Sequence, residues 1–152
     1  VLTEDIEMNI TWVVVSDNER ARFLSKKPGE KILIEMDDLV HPEARIHERD
    51  LGSDKPGRSY DSDSSGRHSM KQKTEIKKHD AQTFAEYIAD KLEQARNDHE
   101  YQHLILVAPP EFLGLLRKQL SDQCTKLVEQ AFDKDLTLET IKKIEDVVFE
   151  LN

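Results

Sequence analysis

Apolar residues cluster along this chain in two rhythms. Ile10 to Val15 (Ile-Thr-Trp-Val-Val-Val) is an unbroken β-branched and aromatic run, the mark of a strand covered on both faces. Ser16-Asp-Asn-Glu19 is a turn by residue type, Ala21 to Ser25 alternates and returns as a second strand, and Lys27-Pro-Gly-Glu30 is a second turn. A third strand lies within Lys31 to Val40, so the first forty residues predict an antiparallel meander. From Asp80 onward the rhythm becomes helical. Asp80 suits an N-cap, and Ala81, Phe84, Ala85, Ile88, Leu92 and Ala95 recur at helical spacing to about Arg96. His103 to Ala108 is a short buried strand closed by Pro109-Pro110, and Pro110 opens a helix to about Ser121 with Phe112, Leu113, Leu116 and Leu120 inward. Gly114 in that helix is read as permitting close packing on the sheet. Lys126 to Phe132 either extends this helix or forms a fifth strand, and the strand is preferred. Thr137 is the expected N-cap of a last helix carrying Leu138, Ile141, Ile144, Val148 and Leu151.

The order strand-strand-strand-helix-strand-helix-strand-helix, with right-handed crossovers, predicts one α/β domain over residues 1–152. It would hold a mixed five-stranded sheet with helices on both faces. Ribonuclease H-like domains and the middle domain of peptide-chain release factors share this arrangement.

Between the two rhythms, residues 41–80 hold almost no apolar runs, and a flexible loop is expected over about 52–73. The whole chain of 152 residues carries a net charge of −9, which disfavours nucleic-acid binding through its general surface. The charge is segregated. Residues 41–80 contain nine Lys or Arg against eight Asp or Glu, while the remainder has a net charge of −10. Within the polar stretch, Pro56-Gly57-Arg58 and Ser65-Gly66-Arg67-His68 set arginine beside glycine. There a guanidinium fork and free backbone amides would meet a phosphate or carboxylate. Arg45 and Arg49 would join them if the segment folds back. The candidate contact residues are therefore Arg45, Gly57, Arg58, Gly66, Arg67 and His68.

Other chemistries lack their residues. A two-metal nuclease needs converging carboxylates. Asp17 falls in a turn, Glu86 is flanked by core positions, and the fourth strand ends Val107-Ala-Pro-Pro110 without an acid. His41 and His47 have no usual ligand spacing, and Cys124 is the only cysteine, so neither a metal centre nor an internal disulfide is expected. The serines around His68 lack a Gly-x-Ser-x-Gly elbow. Glu111 already serves the dipole of the helix that Pro110 opens. No cofactor is implied. No apolar run approaches a membrane span and Val1 to Glu7 does not resemble a signal peptide, so a cytoplasmic protein is expected.

Several strings in order resemble the bacterial host attachment protein family, known as proteins required for attachment to host cells. They are Thr11-Trp-Val-Val-Val-Ser16-Asp17, Ala21-Arg-Phe23, His41-Pro-Glu-Ala-Arg45, Asp50-Leu51, Ser53-Asp-Lys-Pro-Gly-Arg58 and Gly66-Arg-His68. Further along come Phe84-Ala85, Leu104-Ile-Leu-Val-Ala-Pro-Pro110, Leu113-Gly-Leu-Leu-Arg117 and Lys134-Asp-Leu-Thr137. The resemblance implies a role in attachment and brings no catalytic mechanism. It also implies likeness to the release-factor middle domain, whose Gly-Gly-Gln motif is missing here. Gln72 is the only nearby glutamine and has no flanking glycine. The reading is a non-catalytic interaction protein with a protein partner bound through the Arg/Gly segment. The alternative is a translation or ribosome-rescue module that contacts RNA there.

Overall fold

The computed structural model describes residues 9–40 and 62–150, with side chains described over 9–40 and 80–150. Five strands form one sheet: β1 (Thr11–Ser16), β2 (Arg20–Lys26), β3 (Ile34–Val40), β4 (His103–Val107) and β5 (Val128–Phe132). Their order is β3-β2-β1-β4-β5. β2 runs antiparallel to β1 and β3, and β4 runs parallel to β1 and β5. This is the mixed sheet that the sequence predicts, with the ambiguous Lys126–Phe132 stretch supplying β5. Among the described residues four helices accompany it: α1 (Ser62–Asn97), α2 (Pro110–Gln119), α3 (Asp122–Leu127) and α4 (Ile141–Val148).

β1 is buried along its whole length because helices cover both faces of the sheet. Alternation divides its side chains between two cores. Trp12 and Val14 join Phe23, Leu104 and Leu106 against Phe84, Ile88 and Leu92 of α1, Phe112 and Leu116 of α2, and Cys124 of α3. Val13 and Val15 join Leu24, Ile105 and Val107 against Ile144 and Val148 of α4, with Leu33 and Leu136. Each such side chain, fully buried, contributes about 1.5–3 kcal/mol.

The second face is covered by an eight-residue helix, too short to persist alone. Polar ties fasten it. The Leu33 amide donates to Glu145 Oε2 at 2.8 Å. Arg22 of β2 donates through Nη1 to the carbonyls of Thr137 (3.1 Å) and Glu139 (2.6 Å), in the segment leading into α4. The Leu33 tie also accounts for β3 starting at Ile34 rather than near Lys31, since that amide is spent on α4.

Five expectations are corrected. Asp80 is a buried residue inside α1, not its N-cap, because the helix begins at Ser62. The stretch before Ala81 lacks an apolar stripe, but Met70, Lys71, Gln72, Lys73, Glu75, Lys77 and Lys78 are good helix formers and no proline interrupts them. Residues 62–73 of the expected loop therefore lie in α1, and residues 52–61 lie outside the described residues. The N-cap of α4 is Thr140, whose side chain accepts from the Lys143 amide at 3.1 Å, whereas Thr137 is buried and bonded elsewhere. α2 stops at Gln119. Ser121 then caps the separate helix α3 by accepting from the Cys124 amide. Gly114 is exposed, and an added Cβ would meet nothing within 4 Å, so close packing does not account for it.

Two turns behave as their residues dictate. In Lys27-Pro-Gly-Glu30 the Glu30 amide donates to the Lys27 carbonyl at 3.2 Å and Gly29 has φ +79°, a type II turn. Asp17 Oδ1 accepts from the amides of Glu19 and Arg20 at 2.8 and 2.9 Å.

Candidate functional site

Ligands of open α/β sheets gather at the carboxyl ends of the parallel strands. Here that end carries Asp17 after β1, Pro109 after β4, and Asp135 and Thr137 after β5. The buried Thr137 hydroxyl lies 2.7 Å from Asp135 Oδ1 and 3.1 Å from Asp17 Oδ2, so its single proton serves one carboxylate at a time. The Thr137 amide donates to Asp135 at 3.2 Å. Beside them Arg22 meets Glu35 with two parallel bonds, Nε to Oε2 at 2.8 Å and Nη2 to Oε1 at 2.7 Å. That pairing holds the Glu35 carboxyl below its ordinary range. Neighbouring Asp38 is held above its own, first by desolvation and then by Glu35. These groups clasp the β1–β2 turn, β3 and the entry to α4. Their donors and acceptors are largely committed to one another.

A second polar group sits under α1. Glu93 is held by Arg96, with Nε to Oε1 at 3.0 Å, and its carboxyl is lowered by hydrogen bonding from Ser121 and then from Arg96. Tyr101 donates from its hydroxyl to the Leu92 carbonyl at 2.8 Å, and Cys124 Sγ lies 3.3 Å from that hydroxyl and 3.7 Å from Glu93 Oε2. Burial pushes the Tyr101 phenol up. The thiol is fully buried and packs as part of the core.

The opposite end of the sheet opens a cleft of about 320 Å³, lined by Trp12, Phe23, Met36, Asp37, Lys91, Gln94, Ala95, Asp98 and Glu100. Trp12 stacks on Tyr101 (centroids 5.0 Å apart) and meets Phe23 edge-on at 6.1 Å. Lys91 Nζ lies 4.7 Å from the Phe23 ring centroid and 3.3 Å from Asp37 Oδ2. Asp98 and Glu100 are placed by the turn that ends α1. Glu100 N–H donates to the Ala95 carbonyl, His99 N–H to that of Arg96, and His99 takes φ 58°. This is a Schellman ending with histidine where glycine is usual. The sequence reading assigns Trp12 and Phe23 to strands only. The signal it passes over is a pair of acids at a helix C-terminus, where the dipole favours cations.

Of the residues singled out from sequence, Arg45, Gly57 and Arg58 lie outside the described residues. Gly66, Arg67 and His68 lie on the early turns of α1, and their side chains are likewise outside the description. Among the described residues no group of three or more His, Cys, Asp or Glu is placed to hold a metal ion. Nor is any helix there long and apolar enough to cross a membrane.

Comparison with known proteins adds a family. No curated protein matches the chain. Among solved structures, an archaeal translation termination factor is similar at 12% identity and a TM-score of 0.46, over 95% of this chain and 39% of its own. A structure described as an archaeal protein is similar at 11% identity and a TM-score of 0.48, over 99% of this chain and 43% of its own. The chain thus spans about two fifths of the length of each, and no activity passes from either. A family model described as "Protein required for attachment to host cells" matches residues 12–148. Because that match runs from β1 to the end of α4, the chain belongs to the family of proteins required for attachment to host cells.

Proposed function

We propose that this domain is a non-catalytic interaction protein serving attachment, and that its main contact is made by the Arg/Gly segment carrying Arg45, Gly57, Arg58, Gly66, Arg67 and His68. The observation that carries this reading is the division of charge: residues 41–80 have a net charge of +1 on a chain whose remainder has −10. The polar groups at the strand ends support it. Asp17, Arg22, Glu35, Asp135 and Thr137 are engaged in internal bonds that hold the scaffold together, which leaves little reacting capacity there. Guanidinium groups on the polar segment supply bidentate recognition of a partner's carboxylates or phosphates.

The same nine basic residues favour one alternative, contact with ribosomal RNA. Phosphate contacts release counterions, so such binding weakens steeply with salt. Sedimentation with ribosomes at low and high salt, using the natural chain and an Arg58→Ala/Arg67→Ala variant, separates the two. Salt-sensitive co-sedimentation that the variant loses supports the RNA reading. Its absence at low salt leaves the protein-partner reading, which fails in turn if the natural chain and the variant recover the same proteins from extract.

A further inference from the structure

We infer that the cleft between β3 and the end of α1 is a second docking site, built to seat a basic side chain of an extended partner segment. This goes beyond the Arg/Gly reading, lies on other residues and has the opposite charge preference.

The floor is aromatic and already holds a cation. Lys91 places its ammonium over the Phe23 ring while pairing with Asp37, the combination that recognises lysine and arginine heads. The rim has charge to spare. Among the described residues, Asp37, Asp98 and Glu100 line the cleft against the one cation of Lys91, and neither Asp98 nor Glu100 forms an ion pair. Their position opposes stability, because they stand at the negative end of a 36-residue helix. The one basic residue of its last turn, Arg96, is held by Glu93. Acids kept against the local electrostatic preference are what a cation site needs, and such departures from local rules mark functional positions.

The shelf beside the cleft suits a peptide. Ile34 pairs with Ser25, and Ser25 with Trp12, so Ile34 faces the same side of the sheet as the cleft floor. It is 53% exposed and Met36 is 37% exposed, which gives β3 an uncovered apolar strip. Among the described residues β3 is also the edge of the sheet, and the outer backbone groups of an edge strand are a template for an added strand. A partner segment that alternates aliphatic and basic residues meets all three features. Its apolar side chains rest on the exposed Ile34 and Met36, and an arginine or lysine head lies between Asp98 and Glu100, above the buried Trp12 and beside Lys91. A second copy of this chain fits poorly, since its own β3 brings Glu35, Asp37 and Asp38.

Trp12 is the only tryptophan, so its fluorescence reads the cleft directly. The probes are a ten-residue peptide of alternating leucine and arginine, the same peptide with glutamate for arginine, and free arginine. The arginine peptide should give a saturable change that weakens with salt. Free arginine should bind more weakly and the glutamate peptide not at all. Asp98→Asn/Glu100→Gln should weaken binding at least tenfold without lowering Tm, whereas the equally charged control Glu86→Gln/Asp133→Asn should leave it unchanged. An absence of saturation overturns the assignment, as does equal affinity in the Asp98/Glu100 variant or equal binding of the glutamate peptide. A signal that follows protein concentration alone assigns the face to self-association and also overturns it.

Discussion

Arg22 and Glu35 face each other across β2 and β3 in a two-bond fork, and the same guanidinium reaches over to hold the carbonyls of Thr137 and Glu139. One side chain thus joins the edge of the sheet to the lead-in of α4. Arg22→Ala should cost about 2–3 kcal/mol, since it strands a carboxylate and two carbonyls. Arg22→Lys should recover little, because an ammonium cannot reproduce the fork. Urea unfolding of the two variants measures both values.

The pH dependence follows from the same pair. Glu35 is lowered in the folded state from its ordinary 4.5, so its contribution is fully present above that value. It is lost as pH falls through the lowered folded value. Asp38 has the opposite sign: its folded pKa is raised, so its charge opposes folding near neutrality and the penalty fades as pH falls. Asp38→Asn should therefore raise Tm at pH 7 and lose that advantage near pH 3. Glu35→Gln should lower Tm at pH 7, by an amount that shrinks as pH falls below 4.5. Melts of both variants at the two pH values give the answer.

Two backbone positions invite stabilising changes. Gly114 lies exposed inside α2 with open space around an added Cβ. Gly114→Ala should gain about 1 kcal/mol from helix propensity. His99 holds φ 58° at the end of α1. His99→Gly should relieve left-handed strain worth about 1 kcal/mol. Chemical denaturation reads each, and a loss of stability at Gly114 would mean that the glycine serves a contact.

Cys124 is fully buried between α1 and the sheet, against Tyr101. A thiol-specific disulfide reagent should label it only as fast as the protein opens, and at once in denaturant. Rapid labelling of the folded chain would contradict the packing of α3 on α1.

What could be read from the chain, and what could not, divides by physical cause. Strands were legible where both faces are buried, as in Trp12 to Val15, because an apolar run needs no knowledge of its neighbours. The far half of α1 was not, since residues 62–79 carry propensity without an apolar stripe, and the stripe beginning at Ala81 drew the boundary to Asp80. Helix α3 was hidden because its six residues bury only Cys124. Thr137 offers the same capping chemistry as Thr140, but its hydroxyl is taken by nearby Asp135 and, across the fold, by Asp17. The cleft was invisible because Trp12 and Phe23 read as core, while the approach of Asp98 and Glu100 depends on how α1 ends over the sheet.

The central claim is that contact with a partner belongs to the Arg/Gly segment and the rest of the domain carries it. Quantitative affinity capture from cell extract, comparing the natural chain with an Arg45→Ala/Arg58→Ala/Arg67→Ala variant of equal Tm, tests this most directly. The account predicts a protein enriched by the natural chain and lost with the three arginines. Equal recovery by both would contradict it.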